Sequence, residues 1–181
     1  SDTGLSLDVG REGERPVLSP DPFPGLSIGL SNARPTSTGR IGLASPDPLA
    51  PPRIAMRAYA TEADVAEMLE AVKWLRRIAA QPPFAALVAE ELRPGPALQS
   101  DEDLILDFRR RSGTVYHPSC TCRMGPDPAT SVVDADLRVH GVAGLRVCDA
   151  SVFPSGPSAN LNLPVMMTAE KIADQVLAAL P

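Results

Sequence analysis

The segment Val115-Tyr-His-Pro-Ser-Cys-Thr-Cys-Arg-Met-Gly125 sets a histidine in a loop punctuated by Pro118 and Gly125. Imidazole titrates near neutrality, and a loop on a rigid scaffold can aim it, so His117 has the chemistry of a general base. Spacing alone does not separate that role from a satisfied structural histidine. The same loop offers soft metal ligands in His117, Cys120 and Cys122, with Cys148 further on. The single residue between the two loop thiols is not the spacing of common zinc knuckles, so no metal site is expected. His140, at the end of the strand-like Leu137-Arg-Val139, reads as a structural residue.

Downstream of this loop the texture is short and strand-like: Val132-Val133, Leu137-Arg-Val139 and Leu145-Arg-Val-Cys148, separated by Asp, Gly and Ala turns. Asn160 and Asn162 then precede Pro164, which suits the first position of a helix. Met166, Ala169, Ile172, Ala173, Val176 and Leu180 are spaced to line one face of that helix. Its N-terminus would present free amides and a positive dipole end, suited to an oxyanion or an electron-rich ring.

Upstream, Ser100-Asp-Glu-Asp103 and Thr61-Glu-Ala-Asp64 each have the hydroxyl-then-acid spacing of a helix start. After Thr61, the positions Val65, Met68, Leu69, Val72, Leu75, Ile78 and Ala79 mark one apolar face, and Pro82-Pro83 should stop the helix. The second helix should end near Arg109-Arg-Arg111, whose cations suit its C-terminal dipole and read as a solvated cap. Leu26, Ile28 and Leu30 alternate with small or polar residues as a strand would, and Arg40–Ala44 offers a pairing partner. Between them Pro35–Gly39 is turn-rich, and Ser45–Pro52 carries four prolines, a rigid connection. Ser1–Pro24 shows no sustained period and reads as an extended lead-in.

The 181 residues suffice for the core of about one domain, and 20 prolines with 13 glycines predict a loop-rich one. Seventeen Lys and Arg against 22 Asp and Glu leave a net charge of −5, which speaks against nucleic acid as a partner. No apolar run approaches the roughly 18 residues of a membrane span. The N-terminal stretch does not resemble a signal peptide, and three cysteines do not make a disulfide scaffold, so a reducing, cytoplasmic setting is expected.

Taken in order, Val115–Gly125, Val133–Pro154, Ser158-Ala-Asn-Leu-Asn-Leu-Pro164 and Ala169-Glu-Lys-Ile-Ala-Asp174 resemble the C-terminal part of the glucose–methanol–choline (GMC) family of flavin-dependent oxidoreductases. Arg34-Pro-Thr-Ser-Thr-Gly-Arg40, Pro46-Asp-Pro48 and Arg76–Pro82 extend the resemblance into the family's substrate domain, so it covers the chain from about Phe23 onward. The resemblance implies FAD as cofactor and oxidation of a small alcohol. It implies that His117 is the catalytic base and that Asn160 matches the Asn form of the second catalytic position, as in choline-type members. It further implies that Asp149 and Ala150 lie against the ribityl and pyrophosphate part of FAD, and Leu161 and Asn162 near the pyrimidine edge of the ring.

The fold expected is mixed α+β: a substrate-domain antiparallel sheet with helices in residues 25–113, then residues 114–181 completing an FAD-binding domain. The dinucleotide-binding turn of the family, G-x-G-x-x-G, is absent from the chain. The chain is therefore expected to be inactive alone and to need the FAD-binding N-terminal part, on the same or another chain. A piece of a longer flavoenzyme is the favoured reading, because Ser1 resembles a cut in a loop. A small subunit of a two-chain flavoenzyme and a non-catalytic binding module that keeps the fold are the alternatives.

Overall fold

Helices carry most of the order in this chain, because its strands are short and its sequence supplies two strong caps. The computed structural model describes residues 3–8 and 17–179. Two compact units are present, residues 1–31 and 32–181, so residues 114–181 lie in the same unit as residues 32–113.

In the first unit, strands β1 (Thr3–Asp8) and β2 (Val17–Pro24) pair antiparallel, with Leu7 opposite Leu18 and an irregularity between Thr3 and Leu5. The extended lead-in is thus a paired ribbon, apart from positions that lie outside the described residues. The strand expected at residues 26–30 does not form. Leu26, Ile28 and Leu30 are all exposed, so their alternation has no covered face to read against.

The second unit opens on a clasp and a hairpin. Strands β3 (Arg40–Gly42) and β4 (Arg53–Ala55) pair antiparallel with Ile41 opposite Ile54, so the partner of the 40–44 segment is β4 and not the 26–30 stretch. Gly39 is required beside them: a Cβ there would lie 2.5 Å from the Ala55 carbonyl oxygen. Helix α1 (Glu62–Ala79) starts where Thr61 Oγ1 accepts from the Asp64 amide, 3.3 Å. The reciprocal half of a capping box is absent. Aspartate is one methylene shorter than the preferred glutamate, and Asp64 turns instead to the 32–37 loop, while Ser37 Oγ accepts from the Ala60 and Thr61 amides.

Asp64 is fully buried, and its carboxylate accepts from the Thr36 amide (2.7 Å), the Thr36 hydroxyl (2.8 Å) and the Ser37 amide (2.8 Å). Burial by itself disfavours the charge, but the hydrogen bonds from Ser37 and Thr36 outweigh it and hold the carboxyl well below the usual carboxylate range.

Pro82 ends one helix by opening the next. Helix α2 (Pro82–Ala85) has proline in its first position, where no amide donor is needed. Arg76 ties the following loop down through Glu91 and the carbonyls of Gly95 and Leu98. Helix α3 (Asp101–Arg111) is capped by Ser100, whose Oγ accepts from the Asp103 amide at 3.1 Å. Met68 of α1 and Leu104 and Phe108 of α3 are buried, and Lys73 bridges the two helices to Asp101 at 2.8 Å.

The strand-like pieces after Gly113 close only isolated bridges, Met124 with Val133, Val133 with Val139, and Arg138 with Arg146. They are too short for a ladder, yet they bury Val133 and Leu137 completely, with Val152 and Ile172 of helix α4 (Asn162–Ala178) completing the core. The helix begins two residues before Pro164, which occupies its first turn, a place where a missing amide costs little. Its inward stripe is Val165, Thr168, Ile172 and Val176, whereas Met166, Ala169 and Ala173 face outward. Leu180 lies outside the described residues. No helix among the described residues is long and apolar enough to cross a membrane.

Candidate functional site

The loop that carries His117 is built on a strained backbone and a tight register. Tyr116 and Cys120 flank it at φ 60 and φ 66, left-handed values that only surrounding contacts sustain in such residues. Those contacts are regular: the amides of Cys120, Cys122 and Met124 donate to the carbonyls of Ala150, Ser151 and Val152 at 3.2, 2.9 and 2.8 Å. The far end of the loop is pinned by His140, whose Nε2 lies 3.1 Å from the Gly125 carbonyl and 3.2 Å from Ser131 Oγ. A carbonyl only accepts, so Nε2 carries the ring proton there and His140 is a structural clip. Gly125 leaves the room that this clip needs, since a Cβ would meet Ser131 at 3.0 Å.

Asn160 reaches the same place from the other side. Its Oδ1 accepts from the Asn162 amide at 2.9 Å, and its Nδ2 lies 3.4 Å from His117 Nε2. This fixes orientation at both partners. The Asn162 amide can only donate, so it holds the oxygen end of Asn160 and leaves the NH₂ end facing the ring. An NH₂ only donates, so His117 Nε2 accepts and the ring proton sits on Nδ1. His117, Asn160 and Asn162 are all exposed, and the N-terminus of α4 begins at this pair.

The other sequence-derived residues sit around this centre with different degrees of involvement. Ala150 is joined to the His117 loop through the Cys120 amide. Asp149 is exposed and caps a single 3-10 turn, Ala150–Val152, its Oδ1 accepting from the Ser151 amide at 2.7 Å. No hydrogen bond links Asp149 to the His117–Asn160 pair among the described residues. Leu161 is half-buried at the cap of α4, and its carbonyl accepts from the Val165 amide at 3.0 Å. Among the described residues no three His, Cys, Asp or Glu side chains gather as metal ligands. Asp64 and its clasp were not legible as anything beyond a helix cap, because the partner loop is reached only through the chain path.

The sequence profile described as GMC oxidoreductase matches residues 35–169. The chain belongs to the GMC oxidoreductase family. Oxygen-dependent choline dehydrogenase from Chromohalobacter salexigens is 45% identical over 152 residues, which is 84% of this chain and 27% of that protein. Among solved structures, an FAD-dependent oxidoreductase from Chaetomium thermophilum superposes with a TM-score of 0.74 at 29% identity, covering 80% of this chain and 25% of the other. A fungal aryl-alcohol oxidase does so with a TM-score of 0.69 at 38% identity, covering 78% and 24%. The chain thus spans little more than a quarter of the length of the curated relatives it matches.

Proposed function

We propose that this chain supplies the catalytic side chains of an FAD-dependent enzyme that oxidises the CH–OH group of a small alcohol to an aldehyde or ketone. The observation that supports this most directly is the 3.4 Å approach of Asn160 Nδ2 to His117 Nε2. An acceptor nitrogen and a donor amide that close together can both reach one substrate oxygen. His117 Nε2 takes the hydroxyl proton, and Asn160 donates to the oxygen as negative charge builds on it. The hydride then leaves the carbinol carbon readily, because the electron pair freed at oxygen forms the carbonyl bond.

FAD, when bound, supplies the hydride acceptor. The residues present fit such a group. The positive end of α4 lies beside the pair, where it would favour negative charge on a reduced ring. In this reading Leu161 and Asn162 would hold the pyrimidine side of the ring, and Asp149 and Ala150 the ribityl and pyrophosphate portion. The remainder of the FAD site belongs to a dinucleotide-binding part on the same or another chain, and this segment alone is inactive. The names of its relatives, a choline dehydrogenase and an aryl-alcohol oxidase, support a small alcohol as the substrate class.

The test is the complete flavoenzyme bearing this segment, with His117→Ala. Turnover should fall by about 10²- to 10⁴-fold, the usual share of a positioned acid or base, while the flavin absorbance per protein is unchanged. An alanine variant that turns over like the wild type would remove the base from this site.

A further inference from the structure

The clasp at Asp64 and the segment that carries Asn160 come close together at Ala33 and Gly156, an approach that neither the helix cap nor the catalytic pair explains. The 32–37 loop is tied to α1 at both ends. At one end Asn32 Nδ2 donates to the Asp64 carbonyl (3.3 Å) and to Glu67 Oε2 (2.7 Å). At the other, Thr36 and Ser37 donate to the buried Asp64 carboxylate. A carboxylate only accepts, so the Thr36 hydroxyl must donate to it, and Thr61 Oγ1, 2.6 Å away, donates to Thr36 in turn. Both threonine hydroxyls of the clasp therefore have one orientation, set by the charge at its centre.

Between the two anchors lies Ala33, and its carbonyl oxygen comes near Gly156: a side chain there would meet it, the added Cβ lying 3.5 Å away. Gly156 and Pro157 are half-buried there, and the prolines at 154 and 157 remove backbone freedom on either side. Asn160 follows three residues later, with its oxygen held by Asn162 and its NH₂ toward His117. From the first turn of α1, then, the hydrogen-bonded 32–37 loop runs close beside Gly156, four residues before the side chain that faces His117.

We propose that Asp64 is a positioning residue for Asn160: its carboxylate holds the 32–37 loop against Gly156 and so fixes the 154–160 segment that aims the Asn160 amide. This rests on the reading of His117 and Asn160 as the catalytic pair, but its mechanical part stands without it. A displacement of about 1 Å at a positioned group can cost up to a hundredfold in rate, so loosening the clasp should register in turnover.

The experiment uses the complete flavoenzyme with Asp64→Asn and, in case that variant folds poorly, Thr36→Val, which keeps the side-chain shape and removes one donor. Amide hydrogen exchange is followed by peptide, and kcat and KM are measured in wild-type and Asn160→Ala backgrounds. Exchange should rise about tenfold across residues 154–162 while residues 133–147 are unchanged. In the wild-type background kcat per bound flavin should fall about three- to tenfold with little change in KM, and in the Asn160→Ala background no further loss should occur. Loosening confined to residues 32–37, or an equal loss of kcat in both backgrounds, would overturn the proposal. If Asn160→Ala proves fully active while exchange at 154–162 still rises, the reading of the catalytic pair fails and the mechanical link is upheld.

Discussion

Among the described residues, Asp64 is the buried carboxylate whose charge the fold uses most directly. Its carboxyl is held well below the ordinary range, against the opposing effect of its burial, by hydrogen bonds from Ser37 and Thr36. A group whose native pKa is depressed contributes stability above its unfolded pKa, near 4 for aspartate, and that contribution is lost as pH falls from there toward the native value. Asp64→Asn should therefore destabilise the chain by about 2 kcal/mol at pH 7, because an amide offers its NH₂ to donors that need an acceptor. The gap between wild type and variant should shrink as pH drops below about 4. Urea unfolding followed by the fluorescence of Trp74, the one tryptophan of the chain, at a series of pH values checks both statements. A difference that stays constant to pH 2 would show that the carboxylate charge is not what the clasp uses.

At the scale of elements, α4 shows how far periodicity reaches. The 3.6-residue pattern locates the helix and puts Ile172 and Val176 on its apolar face, but it assigns Met166, Ala169 and Ala173 to the same face. The structure buries Ile172 against Val133, Leu137 and Val152 and leaves Val165 and Val176 half-buried beside it, while Met166, Ala169 and Ala173 are exposed. Among the described residues the core of this part has four buried side chains, so it has little redundancy. Ile172→Ala should cost about 3 kcal/mol, the range for a buried aliphatic truncation, whereas Ala173→Ser on the outer side should stay within about 0.5 kcal/mol. Equal midpoints for the two variants in urea would mean that α4 does not rest on this core. The two N-caps were read correctly because Thr61 and Ser100 bond within their own first turns.

Considered as a whole molecule, the chain leaves much apolar surface in contact with solvent. Leu43 is 88% exposed and Leu49 89%, both beside the β3–β4 hairpin, and on α4 Leu163 and Met167 stand at 74% and 68%. A two-stranded hairpin is marginal on its own, and apolar side chains at these levels are costly to hydrate. The isolated chain should therefore associate at micromolar concentration and bind a hydrophobic dye. Light scattering that returns a monomer near 19.1 kDa without dye binding would overturn this expectation.

What the sequence by itself determined is local: the starts of α1 and α3, the helix after Asn160, the turn-rich character, and a set of motifs specific enough to place the chain in its family. Cap chemistry and periodicity act within one or two turns, so they survive without knowledge of the path. The family motifs also singled out His117 and Asn160. Only the tertiary structure decided that these two meet, since they stand 43 residues apart and their contact depends on the 120–124 stretch lying in register with residues 150–152. It decided, too, that Asp64 spends its carboxylate on a loop and not on its own helix, and that residues 26–30 pair with nothing among the described residues. Each of these outcomes turns on hydrogen bonds and burial between segments distant in sequence, where the partner is set by the chain path and not by the residue's neighbours.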